Sequence, residues 1–204
     1  MRSKRFRKFE SLTESQPRPF RIIDVGGTIS FWENRGWADR EDVYITLVNL
    51  DKSDSPYGNI DSRIGDATNL EEFENGSFDV AFSNSVIEHL YTFENQVAMA
   101  KEVQRVARAY FIQTPNYWFP IEPHFQVAGW QWLPESVRVR ILQHRRCGRR
   151  GPFPDIDEAL ESIREVRLMT RSELARIFPN ATIWPERILG LVKSWTAFGG
   201  FREL

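Results

Sequence analysis

The stretch FRIIDVGGT, residues 20–28, decides how the rest of the chain is read. Its first six residues are a short run rich in β-branched side chains, and Gly26 and Gly27 stop it with a turn that can take positive φ and admit a close backbone approach. Such a run reads as a buried parallel strand. Working outward, VYITLVNL at 43–50 ends at Asp51 as a second strand, residues 60–64 form a shorter run, and FDVAF at 78–82 and AYFIQ at 109–113 are two more. Between the last two, Phe93, Val97, Ala100, Val103 and Val106 recur at helical spacing, which makes a βαβ crossover. Thr170 followed three residues later by Glu173 is a capping-box pattern and predicts a helix over 170–178. The closing runs at 181–188 and 190–198 meet around Gly190, too close for a helical crossover, so they are expected as an antiparallel pair at the sheet edge.

With 204 residues, 41% apolar and 27% charged, the chain fits one globular core and excludes collagen-like, low-complexity and wholly disordered classes. Its single cysteine, Cys147, can make no intrachain disulfide and no thiolate zinc ribbon, which points to a reducing, cytoplasmic setting. The net charge of -1 hides a segregated pattern. Arg2, Lys4, Arg5, Arg7 and Lys8 precede the first acid, Glu10; no Lys or Arg lies between Arg63 and Lys101; and Arg138, Arg140, Arg145, Arg146, Arg149 and Arg150 follow one another without an acid. Residues 1–19 are expected as a flexible basic arm on which only Phe6 and Phe9 could dock on the sheet. They supply no apolar segment for a signal peptide, and no run approaches the ~20 apolar residues of a membrane span. Residues 20–204 read as a single domain with an aromatic and basic insert at about 115–160.

Open α/β sheets bind ligands beyond the carboxyl ends of their strands, so four strand ends carry the chemistry. They are Asp24-Val25-Gly26-Gly27-Thr28, Asn49-Leu50-Asp51, Gly65-Asp66-Ala67, and Ser83-Asn84-Ser85-Val86-Ile87-Glu88-His89-Leu90. Either Asn49 or Asp51 can accept ribose hydroxyls, depending on the register of the strand. Taken together, the order of these ends resembles the class I S-adenosylmethionine-dependent methyltransferases, in particular the broad small-molecule group called type 11, over roughly Arg21 to Asn116. The resemblance implies a Rossmann-like seven-stranded sheet, mostly parallel with an antiparallel edge strand and helices on both faces. It also implies S-adenosyl-L-methionine as cofactor, with Asp24, Gly26 and Gly27 along its methionine part, Asn49 or Asp51 at the ribose, Asp66 and Ala67 at the adenine, and Ser83 under the transferring methyl. An Asp66 carboxylate suits the adenine amino donor, and carboxylates near a sulfonium favour its charge. The chain departs from the family's glycine loop at Thr28 and Ser30, which stand where two further glycines are usual. A nicotinamide fingerprint fares worse, since it needs glycines where Thr28 and Phe31 stand.

Past the fifth strand, Thr114-Pro115-Asn116 opens a loop whose prolines, Pro115, Pro120 and Pro123, hold it extended on the substrate side. Asn116, Glu122 and His124 are its substrate-side candidates. His89 or His124 could take a proton from an acceptor hydroxyl or amine, so His89, His124 and Glu122 form the expected catalytic set. Glu88, His89, Glu122 and His124 offer oxygen and nitrogen donors, but their spacing matches no metal motif, and no metal is expected. The arginines of residues 127–150 mingle with Trp130, Trp132 and Leu133 as a lid with ordinary core packing, with a peripheral membrane contact and a nucleic-acid surface as alternatives. The expected function is methyl transfer to a small-molecule or glycan-type acceptor. Its rivals are a catalytically silent cofactor-fold binding protein, a nucleic-acid methyltransferase and a nicotinamide oxidoreductase. Oligomeric state is not written in the sequence.

Overall fold

The structure, a computed structural model, describes residues 2–201; residue 1 of the expected arm and residues 202–204 of the expected domain lie outside the described residues. One sheet contains β1 (Phe20–Val25), β2 (Val43–Asn49), β3 (Ile60–Ile64), β4 (Phe78–Asn84), β5 (Ala107–Pro115), β6 (Thr182–Ile188) and β7 (Leu191–Gly199). The strand order is β3-β2-β1-β4-β5-β7-β6. Strands β1 to β5 pair in parallel, while β7 runs antiparallel between β5 and β6. The expected Rossmann-like sheet with an antiparallel edge is therefore present, and its order reverses between β1 and β4, where a crevice opens beyond the strand ends.

Alternation along β1 divides the core. Phe20 and Ile22 face one layer, while Ile23 and Val25 face the other. The second layer is covered by α3 (Phe93–Val106), which crosses from β4 to β5, and by α6 (Arg171–Ile177), where Thr170 and Glu173 complete the expected capping box. The first layer holds α1 (Arg2–Thr13) and α2 (Ile29–Glu33).

Helix α1 replaces the flexible arm expected over residues 1–19. Phe6 and Phe9, 6% and 0% exposed, pack among Trp32, Trp37, Phe82 and Phe111, with the Phe9 ring 4.9 Å from Phe82 and 5.4 Å from Phe111. Three residues apart on a helix, the two rings share one face. Burying each contributes about 1.5–3 kcal/mol, enough to dock a segment that is otherwise mostly charged.

The β6–β7 hairpin turns through Leu189 at φ 47° and Gly190 at φ 84°, the doubly left-handed geometry that matches strand twist. A register shift between Glu186 and Arg187 interrupts the pair, and Glu186 is buried next to it. The insert contains α4 (Glu135–His144) and α5 (Ile156–Arg164) around a small core of Phe125, Trp130, Val139, Leu142, Cys147, Ala159 and Ile163. No helix among the described residues is long and apolar enough to cross a membrane.

Candidate functional site

The glycine turn after β1 is shaped by what lies under it. Gly26 has φ +76°, and a Cβ there would stand 2.3 Å from Val86 Cγ2; a Cβ on Gly27 would stand 1.8 Å from Asp24 Oδ2. Both positions exclude any side chain, Gly26 also by its backbone angle. Thr28 takes the place of a further glycine without strain because its backbone is extended at φ -126° and its hydroxyl caps α2 by accepting from Phe31 N. Ser30 lies inside that helix, where no positive φ is needed. The loop thus enters its helix by a side-chain cap.

Asp24 is buried beneath this turn. Its Oδ2 accepts from Trp32 Nε1 at 2.7 Å, and its Oδ1 has no hydrogen-bond partner. Burial pushes its pKa up to about 7, against the opposing Trp32 hydrogen bond and the Arg35 charge. Asn49, the last residue of β2, donates from Nδ2 to Gly27 O at 2.8 Å and so ties the second strand end to the turn. Asp51 stands two residues beyond it, exposed. At the third strand end Asp66 is exposed, and its Oδ1 accepts from Thr68 N and Thr68 Oγ1, both at 2.8 Å, while Ala67 is half-buried. Ser83 is fully buried and donates to Val25 O at 2.9 Å, joining β4 to β1. It braces the turn from below, and Asn84 and Ser85 line the neighbouring cleft in its stead.

That cleft, about 460 Å³, lies beyond the ends of β4 and β5 and under the insert. Glu88 and His124 line it and His89 packs against His124, so the fold unites residues that the sequence scatters. Glu88, on a short 3₁₀ turn after β4, is fully buried; Thr114 Oγ1 donates to its Oε2 at 3.2 Å, and its Oε1 has no partner. Burial raises the Glu88 pKa to about 7 despite its backbone hydrogen bond and the nearby His124. The His89 and His124 rings meet edge to face, 4.7 Å between centroids. His124 Nδ1 bonds Glu122 Oε1 at 2.6 Å, and His89 Nδ1 bonds Glu165 Oε1 at 3.0 Å. For His124, burial lowers the pKa, but the Glu122 hydrogen bond and charge, with that of Glu88, outweigh it and the net shift is upward. For His89, burial and the His124 charge win over Glu165, and the shift is downward. Two imidazoles in contact thus carry opposite biases.

Glu122 does not face the cleft as an independent acid. Besides His124 Nδ1 it accepts from the backbone N–H groups of His124 and Phe125 at 2.7 and 2.6 Å, so it orients His124 and fixes the loop. Asn116 is also committed, donating to Val192 O at 2.8 Å and accepting from Trp118 N at 3.2 Å.

Three participants escaped the sequence reading. Arg150 pairs with Glu165 through Nη1 and Nη2, the latter at 2.9 Å, and holds that carboxyl below its ordinary pKa. Glu165 follows α5, far from any strand end, so no positional rule singles it out. Arg5 reaches from α1 across the ends of β4 and β5 to Asn84, Gln113 and Glu186, meeting Gln113 Oε1 at 2.6 Å. Its signal was the spacing of Phe6 and Phe9, which places a helix there and aims a neighbour at the sheet. Of the insert's tryptophans, Trp130 is core, whereas Trp118 and Trp132 are 63% and 47% exposed.

Comparison with known proteins bears on the fold. Residues 38–110 match the family model described as a methyltransferase domain, and the resemblance to class I S-adenosylmethionine-dependent methyltransferases of the type 11 group holds over that part of the chain. Two uncharacterised proteins of Mycobacterium tuberculosis, one from strain CDC 1551 / Oshkosh and one from strain ATCC 25618 / H37Rv, are each 35% identical over 74 residues, which is 36% of this chain and 25% of theirs. The chain thus matches about a quarter of the length of these curated relatives. Among solved structures, the N-terminal domain of EvdMO1, in the presence of SAH and D-fucose, is 16% identical with a TM-score of 0.56, covering 98% of this chain and 82% of that one. A Rhodobacter sphaeroides protein described as a candidate Zn-dependent alcohol dehydrogenase is 10% identical with a TM-score of 0.57, covering 94% and 87%. At these identities the likeness is one of fold, and the chain has the fold of S-adenosylmethionine-dependent methyltransferases.

Proposed function

We propose that the protein transfers a methyl group from S-adenosylmethionine to a small-molecule or glycan-type acceptor held in the cleft beyond β4 and β5. The observation that carries the reading is the antiparallel β7 between β5 and β6, beside a glycine turn whose neighbouring strand ends bear acids and amides. A dinucleotide-binding sheet of the order 3-2-1-4-5-6 has its sixth strand next to the fifth, and phosphates favour basic groups and helix N-termini. Here β7 stands next to β5 in place of the sixth strand, and the five-residue α2 that starts after the glycine turn already has its Phe31 N–H taken by the Thr28 hydroxyl.

The residues present fit the cofactor. Asp24 Oδ1, buried and unpartnered beneath a turn that no Cβ can enter, suits a ligand that brings positive charge or N–H donors over Gly26 and Gly27. Asn49 braces that turn, which leaves Asp51 as the acid for the ribose hydroxyls. Asp66, whose Oδ1 is held by Thr68, would offer Oδ2 to the adenine amino group, with Ala67 next to it as an apolar contact. When bound, the cofactor supplies an electrophilic methyl on a sulfonium, and the protein needs no covalent nucleophile of its own. Its residues position: Ser83 fixes the β1 and β4 ends to each other, while the Glu88, His89 and His124 cluster receives the acceptor, with Glu122 orienting His124. Holding the partners together can supply most of the acceleration, with effective molarities of roughly 10⁵–10⁸ M as the ceiling. The SAH and D-fucose of the EvdMO1 structure support a sugar-bearing acceptor, as does a cleft lined with the amides Asn84, Gln113 and Gln126.

Isothermal titration with S-adenosylhomocysteine, with NADH as control, tests the reading. Micromolar binding of the first alone is expected. Preference for NADH would move the protein to the oxidoreductases, and silence from both would make it a binding protein on a cofactor fold.

A further inference from the structure

We infer that Glu88, His89 and His124 form a binding site for one divalent transition-metal ion at the floor of the acceptor cleft. The inference deepens the methyltransferase reading and rests on it for the ion's use, though not for its binding. One ligand atom from each of the three residues lies within 4.8 Å of those of the other two, and this is the one such group among the described residues. Ligand atoms around a 2.0–2.2 Å coordination bond stand about 3–4.4 Å apart, so small side-chain rotations close the set on an ion.

Proximity alone would be weak, but two further observations converge. Both histidines hold Nδ1 against a carboxylate, Glu122 for His124 and Glu165 for His89. That leaves Nε2 as the ligating atom of each ring, the carboxylate–histidine–metal pattern in which an outer acid fixes tautomer and orientation. Glu88 contributes a carboxylate whose Oε1 is buried and lacks any hydrogen-bond partner, a costly condition that a cation would relieve. Two imidazoles and one carboxylate favour Zn²⁺, Fe²⁺, Mn²⁺ or Co²⁺ over Mg²⁺ and Ca²⁺, which prefer oxygen donors. In this arrangement the histidines serve as ligands, and because Glu88 and His124 line the cleft, an ion held there would lie within reach of an acceptor oxygen.

The sequence obscured the site because the ligands come from two distant segments and their adjacent Glu-His pair follows no helical i, i+3 or i, i+4 rule. Only the fold of the 114–126 loop back over the β4 end unites them.

The test titrates tag-free, EDTA-treated protein with Zn²⁺ by calorimetry and with Co²⁺ by visible absorption. One ion per chain with micromolar or tighter affinity and a Co²⁺ d–d band are expected. Glu88→Gln and His124→Ala should each weaken binding at least about 100-fold, and Glu122→Gln and Glu165→Gln about 10–100-fold. His144→Ala, which alters an exposed histidine on α4, should leave binding unchanged. Substoichiometric binding, absence of the Co²⁺ band in wild-type protein, or affinity that survives Glu88→Gln or His124→Ala overturns the site. Should those two variants fail to fold by circular dichroism, the wild-type Co²⁺ spectrum and the outer variant Glu165→Gln decide. Parallel titration with S-adenosylhomocysteine separates the two ideas: cofactor binding without metal sinks this inference alone, and metal binding without cofactor sinks the methyltransferase reading alone.

Discussion

The two sides of the crevice are built on opposite plans. Beyond β1 to β3 the shape is made by backbone: a turn with no room for a Cβ, a capped helix start, and exposed acids on short loops. Beyond β4 and β5 the shape is made by side chains that hold one another, from Arg150 through Glu165 to His89, and from Glu122 to His124 beside Glu88. The first side should be broken by added atoms and the second by removed ones.

The largest effect is expected from Gly27→Val, which drives a branched side chain into the Asp24 carboxylate. S-adenosylhomocysteine affinity should fall about 100-fold or more, roughly 2.7 kcal/mol, with about 1–3 kcal/mol of stability lost on urea unfolding. Wild-type affinity in this variant would mean that the turn does not meet the cofactor. His124→Ala removes atoms from the other side and should lower turnover about 100-fold or more while changing S-adenosylhomocysteine affinity less than about threefold; equal losses in both would erase the division between the two sides.

Trp32→Phe takes the one hydrogen bond from Asp24 and should cost about 1–3 kcal/mol, read as a lower Tm. The same carboxyl sets a pH dependence. Its pKa is raised to about 7 from an ordinary value near 3.8, so the folded state holds a proton that the unfolded state has released between those limits. Its contribution is fully present below pH ~3.8 and is lost as pH rises through about 7. Asp24→Asn should flatten this part of the slope in urea midpoints measured from pH 5 to 8, and an unchanged slope would show that the carboxyl is ionised throughout. Ionisation also favours a cationic ligand, so S-adenosylmethionine affinity should climb across the same range in wild type. The smallest effect belongs to Asp66→Ala, whose exposed carboxylate should account for about five- to tenfold in cofactor affinity with Tm unchanged; calorimetry showing no loss would free the adenine from this loop.

Much of the sheet was legible because buried strands declare themselves by composition and end at turns. Residues 20–25 and 60–64 appear as β1 and β3 to the residue, and the Gly190 junction correctly foretold an antiparallel pair. That pair lies at the sheet edge as expected, with β6 outermost and β7 between it and β5. Helix α1 was illegible to a composition argument, because a helix that buries Phe6, Phe9 and Thr13 among mostly charged neighbours looks like a charged arm. At the site, backbone-determined features such as the glycine turn could be read from residue types. The partnership of His89 with Glu165, 76 positions apart, could not. Side-chain networks depend on how an insert folds back, and its charges alone do not fix that path. Ser83 and Glu122 illustrate the same limit: each was placed near the chemistry, but burial and hydrogen bonding make them braces.

Arg5 and Glu186 close the wall of the cleft from positions 181 residues apart. At a translation rate of about 5–20 residues per second, the guanidinium is made roughly 10–35 s before the carboxylate it will meet. During that interval α1 can associate with Trp32 and Trp37, which are synthesised soon after it, but one side of the cleft has no counterpart. The nascent chain therefore acquires its hydrophobic interior before its cleft, and a ligand of the glycine turn would meet a cleft without its far wall until synthesis has passed β6. The cleft is completed late by construction, set by the order in which the two ends of one ion pair leave the ribosome.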